Sequence, residues 1–336
     1  MSAFPHPTVA IGVPVRDEQS LLPGLLGALA GQRRIDPASV TIAFLLDGCT
    51  DGSEPLIRAW RSPFEVSVRC DPRGEPSAGR ARGAVMEQAV CSGAALLLTT
   101  DADSAPAPDW IAAAVRALAQ AEVVAGRIVR TGLPDPVQDA LEAYYDRLHA
   151  HRRRLDPVVW DPTPGHHHTG GANLGFRADA YRALGGFDRV VSGEDALILD
   201  RAHRLGLRVR REPAMLVATS PRRRGRVPGG LACALARLDD GDAVQVAHPG
   251  DAAWQYRGQA IARAGFARLP GSAQGIAATL ELPVDEVLAV AAECTNAEAF
   301  AMRIAPSVPG GPRMVSLADA LAALDALEDA RDVAAA

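Results

Sequence analysis

Asp101 and Asp103 stand two residues apart, directly after the apolar run Leu96-Leu97-Leu98-Thr99-Thr100. Carboxylates at that spacing can hold a hard divalent cation, Mg2+ or Mn2+, that also takes phosphate oxygens as ligands. In a turn the same pair would simply be solvated, so the buried strand in front of it is what gives the spacing meaning. A second acidic pair, Glu194-Asp195, follows Val190-Val191-Ser192-Gly193 and opens a helical pattern. There a carboxylate either caps the helix and meets its macrodipole or acts as a general base that takes a proton from a hydroxyl. Arg222, Arg223, Arg224 and Arg226 form a basic run that suits a mobile clamp on an anion or, equally, a solvated or acidic-partner-binding segment. His166, His167 and His168 are metal-ligand types, yet three in a row cannot all point one way from an extended chain; whether any of them serves a metal or an acceptor stays open.

These residues need a scaffold. From Thr8 to about Leu118, short apolar runs alternate with helical patterns, the signature of βαβ units and a parallel sheet. Strands are expected over 9–13, 40–46, 64–69 and 95–99, and helices over 18–30, 51–60, 78–90 and 108–119, with Asp51 and Asp109 as capping or first-turn acids. Ligands of an open parallel sheet bind outside the carboxyl ends of its strands. The residues at those places are polar: Arg16-Asp17-Glu18, Asp47, Asp71 with Arg73, and Asp101-Ala102-Asp103. Further on, a strand over 122–126, a helix over 136–155, a loop over 160–168, a strand over 171–176, a helix over 178–184 and a helix opening at Glu194 are expected. Beyond Gly230 the chain reads as wholly helical, closing with a helix over 318–336. Residues 272–293 have a pattern like a helix-turn-helix but almost no basic side chains. A helical lid, an acceptor platform or a contact in a homodimer fits that segment better than DNA does.

A chain of 336 residues suits one large α/β domain with an appendage, or two domains. A net charge of -5 argues against a general nucleic-acid binder. No Lys occurs, so every fixed cation is Arg, the side chain that grips phosphate in a planar fork. The five Cys are an odd number, widely spread and without a CxxC pair, which reads as reduced thiols in a cytoplasmic protein. The start lacks a basic-then-apolar segment and no run approaches the ~20 apolar residues that span a bilayer, so neither an export signal nor a transmembrane anchor is expected.

Six motifs occur in order: Val13-Pro14-Val15-Arg16-Asp17-Glu18; Leu46-Asp47-Gly48-Cys49-Thr50-Asp51-Gly52-Ser53; Gly79-Arg80-Ala81-Arg82-Gly83-Ala84; Thr169-Gly170-Gly171-Ala172-Asn173-Leu174-Gly175-Phe176-Arg177; Gly185-Gly186-Phe187-Asp188; and Gly193-Glu194-Asp195. From Thr8 to Gly206 this series resembles glycosyltransferase family 2 and its A-type fold. The resemblance implies an α/β architecture with a Rossmann-like, mostly parallel sheet flanked by helices. It implies a catalytic domain over 1–225, followed by the helical region 226–336. It implies an inverting transfer of a sugar from a nucleotide-diphosphate donor, a UDP-sugar on this reading, to a hydroxyl acceptor. Asp47 would meet the donor base, Pro14, Asp17 and Glu18 would border base and ribose, and Arg80 and Arg82 would approach the nucleotide. Gly171 and Asn173 would lie against the donor, and Arg222 and Arg224 against its diphosphate. Asp103 would be the metal ligand, Asp101 would touch ribose or metal, and Asp195 with Glu194 would supply the base. The family usually has Asn at Asp17 and often at Gly83, and a second Asp at Leu46, which leaves the contacts of those groups open. Trp110 and Trp160 are placed either in the sugar or acceptor site or in packing. Two rivals remain: a sugar-1-phosphate nucleotidyltransferase, whose Gly-rich basic loop after the first strand is replaced here by Val15-Arg16-Asp17-Glu18, and a catalytically silent nucleotide-sugar-binding protein.

Overall fold

The computed structural model describes residues 7–72, 77–132, 134–220, 222 and 244–335. They gather into two compact units, one of Met1–Leu133, His168–Arg201 and Val209–Ala236, the other of Pro134–His167, Ala202–Arg208 and Arg237–Ala336. The expected domain boundary at 225/226 lies outside the described residues.

The first unit is built on an eight-stranded sheet. Its strands are β1 (Val9–Val15), β2 (Val40–Asp47), β3 (Glu65–Asp71), β4 (Leu96–Thr99), β5 (Ser104–Pro106), β6 (Val123–Arg130), β7 (Leu174–Arg177) and β8 (Val209–Thr219). They run in the order β3-β2-β1-β4-β7-β6-β8-β5. Strands β1 to β4 are mutually parallel, β6 is parallel to β8, and β7 and β5 are antiparallel to their neighbours. β1 and β2 are almost continuously apolar and buried, as strands covered on both faces must be. Helices α1 (Leu22–Ala30), α2 (Ser53–Ala59), α3 (Ala78–Cys91), α4 (Trp110–Leu118) and α6 (Ala178–Leu184) connect these strands, and α7 (Glu194–Arg204) follows. Ile11, Val13, Phe44, Leu98, Ile111 and Val124 lie in its core.

The chain builds outward from β1 to β2 and β3, then returns to place β4 on the other side of β1. That reversal is a topological switch point, where the loops after β1 and β4 diverge and leave a crevice. Pro14 is tolerated in an inner strand because the β4 pairing stops at Gly12, leaving that stretch of β1 paired on the β2 side.

The sequence expectation missed β5 and β8. β8 reads Val-Arg-Arg-Glu-Pro-Ala-Met-Leu-Val-Ala-Thr, and its interior Pro and charges argue against a strand. The structure accommodates them with a bulge: Gly126 pairs with Glu212 but the next residue, Arg127, pairs with Leu216. Asp51 accepts from Ser53 N–H at the start of α2, whereas Asp109 makes no capping bond to α4.

The second unit contains α5 (Pro136–Leu155), α8 (Pro249–Gly265), α9 (Ala273–Leu280), α10 (Val284–Ala292), α11 (Ala297–Ile304) and α12 (Leu317–Ala335). The expectation of a wholly helical region beyond Gly230 is corrected by an antiparallel pair, β9 (Gln245–Ala247) and β10 (Met314–Ser316). Both are three residues long, too short to leave a period in the sequence. Among the described residues no helix is long and apolar enough to cross a membrane.

Candidate active site

A cleft of about 430 Å³ opens at the carboxyl ends of the parallel strands, at the switch point. Pro14 enters it from the end of β1, Arg16 and Glu18 from the loop after β1, Asp47 from the end of β2, and Asp101 and Asp103 from the loop after β4. Gly170 and Gly171 form another wall, Gly193-Glu194-Asp195 bring the start of α7, and Arg222 closes the set. Acids from distant parts of the chain, Asp103 and Asp195 among them, thus face one space.

Burial pushes the Asp103 carboxyl up to about 6, with Asp101 and Glu18 adding to the shift and the Arg222 charge opposing it. The Arg222 guanidinium donates to Glu18 Oε1 and lies 3.1 Å from Asp103 Oδ2. Asp101, half-buried, shares one oxygen with Arg82. Hard oxygens from two crowded carboxylates suit a divalent cation, which relieves the repulsion that burial intensifies.

Arg82 comes from α3 and is almost wholly buried, its side chain 7% exposed. Its Nε donates to Glu194 Oε1 at 2.9 Å, one terminal nitrogen to Asp101 Oδ1 at 2.8 Å, and the other to Thr99 Oγ1 at 3.0 Å and the Gly171 carbonyl at 2.8 Å. Burial works against its charge, but Asp101 and Glu194 outweigh it and leave the guanidinium more firmly protonated than a free Arg. Gly171 has no room for a side chain, since a Cβ there would lie 2.6 Å from the guanidinium carbon. The Gly171 N–H donates to Asp195 Oδ2 at 2.9 Å, and Asp195 Oδ1 accepts from the Ala196 N–H. Glu194 is buried against Arg82, whereas Asp195 stays half-buried at the cleft.

Asp47 and Asp71, at the ends of β2 and β3, are joined by Arg80, which donates to both, and Arg16 lies 3.4 Å from the second oxygen of Asp47. Asp17, with a positive φ of 50°, uses its carboxylate to accept from Thr50 N–H and Oγ1. Asp51 accepts from Gln19 N–H, and the Glu18 N–H donates to Ser53 Oγ. Hydrogen bonds therefore fasten the loop after β1 to the loop after β2, and hold Glu18 at the cleft. Asp17, Cys49 and Asp51 bring ligand-type atoms within 4.8 Å of one another, a gathering these loop contacts already explain.

Some expected site residues stand elsewhere. Asn173 is fully buried and does not line the cleft. Its amide nitrogen donates to the Arg127 and Met215 carbonyls beside the β6/β8 bulge, and its oxygen accepts from Trp110 Nε1. Trp110 is likewise fully buried. His166 is buried in the second unit, where His167 pairs with Asp146 at 2.7 Å. Arg73, Arg223, Arg224, Arg226 and Cys233 lie outside the described residues; Cys49, Cys70, Cys91 and Cys294 are free thiols. Ile128, Thr219 and Ser220 line the cleft and were not anticipated. The signal for the last two was the apolar run Leu216-Val217-Ala218, which ends in hydroxyl residues as the run before Asp101 does.

The sheet order and the acid-lined cleft at its switch point define an A-type glycosyltransferase fold. Residues 10–184 match the family described as Glycosyl transferase family 2, and the chain belongs to that family. Among solved structures, residues 1–349 of TarS from S. aureus in complex with UDP-GlcNAc are 14% identical, with 87% of this chain and 88% of that one covered and a TM-score of 0.52. The same protein in complex with UDP is 14% identical over 89% of this chain and 81% of its own, with a TM-score of 0.51. Comparison with curated protein sequences gives no match.

Proposed function

We propose that this protein is an inverting glycosyltransferase that moves a sugar from a UDP-sugar to a hydroxyl acceptor with Mg2+ or Mn2+. The observation that carries the proposal is that Asp101, Asp103 and Asp195 line a single cleft in a chain of this family. The complexes of the similar TarS fold with UDP and UDP-GlcNAc agree with a nucleotide-sugar donor.

Asp195 takes the proton of the acceptor hydroxyl as that oxygen forms its bond to the anomeric carbon and the bond to the diphosphate breaks on the opposite face. One displacement of this kind inverts the centre. Asp195 suits the task because two backbone N–H groups fix its orientation and its carboxylate reaches the cleft. Glu194 supports it from the side of Arg82. Asp103 with Asp101 would hold the cation, which when bound neutralises charge on the diphosphate oxygens. Pro14 and Glu18 border the nucleotide, while Asp17 keeps their loop in place. Asp47 lines the cleft and offers the base edge an acceptor that suits N3–H of uracil, while Arg80, which does not line the cleft, holds the Asp47 carboxylate. Arg222, now on Glu18 and Asp103, lies within the cleft to meet the diphosphate, with Arg224 as a further cation of the same run. Residues 1–225 are the proposed catalytic domain.

Release of UDP from a panel of UDP-sugars, with and without Mn2+, tests the reading. The expected outcome is metal-dependent release that Asp195→Asn lowers by about 10²–10⁴-fold, with UDP binding retained. Undiminished turnover in that variant would remove Asp195 from the reaction, and indifference of the protein to every nucleotide would remove the reading itself.

A further inference from the structure

We propose that Arg82 is a positioning residue that ties the acceptor-side base to the donor-side acids and so sets the distance across which the sugar moves. The inference rests on the glycosyltransferase reading above and gives Arg82 a part different from contact with the nucleotide.

One guanidinium reaches both sides of the cleft. Toward the donor side it holds Asp101 and Thr99, at the end of β4 and just beyond it. Toward the acceptor side it holds Glu194 and the Gly171 carbonyl. Gly171 in turn donates its N–H to Asp195, and Asp195 follows Glu194 in the chain. Two short routes therefore run from Arg82 to the base, one through a peptide backbone and one through the neighbouring side chain. The Phe187 ring lies 6.0 Å from the guanidinium carbon on a further side.

The arrangement needs a planar fork. A lysine ammonium keeps the charge but is a point donor on a flexible stem, and cannot span Asp101, Glu194 and a carbonyl in fixed directions. Reaction of an oxygen with an anomeric carbon demands that base and leaving-group side be held in register, and a shift of about 1 Å costs on the order of 10²-fold in rate. The direct contacts expected with the donor and its cation come from Pro14, Glu18, Asp47, Asp101 and Asp103, and of these the fork holds Asp101 alone, so its loss is expected to weigh more on the chemical step than on donor capture.

The test uses the full chain with Arg82→Lys and Arg82→Ala. UDP release from UDP-GlcNAc, UDP-glucose and UDP-galactose with Mn2+ gives kcat and KM, calorimetry with UDP gives Kd, and thermal melting reports folding. Arg82→Lys is expected to lower kcat by about 100-fold while the UDP Kd moves by less than about fivefold. Guanidinium ion at tens of millimolar is expected to raise turnover of Arg82→Ala at least about tenfold, where ammonium does not. If Arg82→Ala does not fold, the split between kcat and Kd in Arg82→Lys decides alone. Full kcat in Arg82→Lys, or a loss confined to KM and Kd, would overturn the inference. Absence of turnover by the unaltered protein with all three donors would fall instead on the reading beneath it, and take this inference with it.

Discussion

Burial and the nearby Asp101 carboxylate push Asp103 up to about 6, while the guanidinium of Arg222 pulls the other way. A divalent cation needs the ionised carboxylate, so proton and metal compete at this residue. Above pH 6 the carboxylate is ionised and the apparent Mn2+ affinity is expected to be flat; below it, affinity should fall by about tenfold per pH unit. Arg222→Gln removes the charge that lowers Asp103, so the break should move to higher pH. Mn2+ titrations between pH 5 and 8, followed by thermal stabilisation with UDP, check both statements, and a pH-independent midpoint would contradict them. At this scale the sequence was legible where a residue's place follows from its strand. Asp47, Asp101 and Asp103 each end an apolar run, and each lies at the cleft. Side-chain direction was not legible. Arg80 and Arg82, two apart on α3, point apart as helical spacing requires, one toward Asp47 and Asp71 and the other toward Asp101 and Glu194. With the Gly171 carbonyl, which Arg82 also holds, their partners come from five other segments of the chain, which no local pattern identifies.

The element that most changed the reading is β8. Its bulge turns backbone carbonyls of Arg127 and Met215 inward, and Gly126 must lack a side chain because a Cβ there would lie 2.2 Å from the Met215 oxygen. Asn173 satisfies both carbonyls and also takes the Trp110 N–H. A glycine-rich motif with an Asn looks like a ligand-binding loop in sequence, yet here the amide stabilises a kink in the sheet behind the cleft. Asn173→Leu leaves the Trp110 N–H and the Met215 carbonyl, both buried, and the part-buried Arg127 carbonyl without that partner, at about 1–3 kcal/mol for each unsatisfied buried group. The expected outcome is a loss of at least about 2 kcal/mol in unfolding free energy, measured in denaturant, with UDP affinity of the folded fraction unchanged. A variant of normal stability that no longer binds UDP would restore Asn173 to the donor site. Helices fared better than strands in the sequence because their caps and periods are local. α5 and α6 occupy the expected spans, whereas β5, β8, β9 and β10 depend on partners far along the chain.

At the scale of the molecule, a chain with a net charge of -5 still confines its ion pairs to particular places, and the second unit contains one that bears on its own stability. Arg263 of α8 donates to Asp156 after α5 and, through two nitrogens at 2.8 and 2.6 Å, to Glu298 of α11. His203 lies 3.7 Å from the other oxygen of Glu298. Burial raises the Glu298 carboxyl, but the nearby His203 and the charge and hydrogen bonds of Arg263 outweigh it and bring it down to about 2, against an ordinary value of 4.5. A carboxyl lower in the folded than in the unfolded state contributes stability that is fully present above about pH 4.5 and is lost as pH falls toward 2. The difference corresponds to about 3 kcal/mol. Glu298→Gln removes this proton linkage, so the variant should be less stable than the unaltered protein at pH 7, and the gap between them should close between pH 4.5 and 2. Thermal melting of both proteins across that range measures the gap directly. Parallel pH profiles, with the gap constant down to pH 2, would mean that Glu298 keeps its proton affinity on folding and that the cluster around Arg263 contributes packing rather than charge.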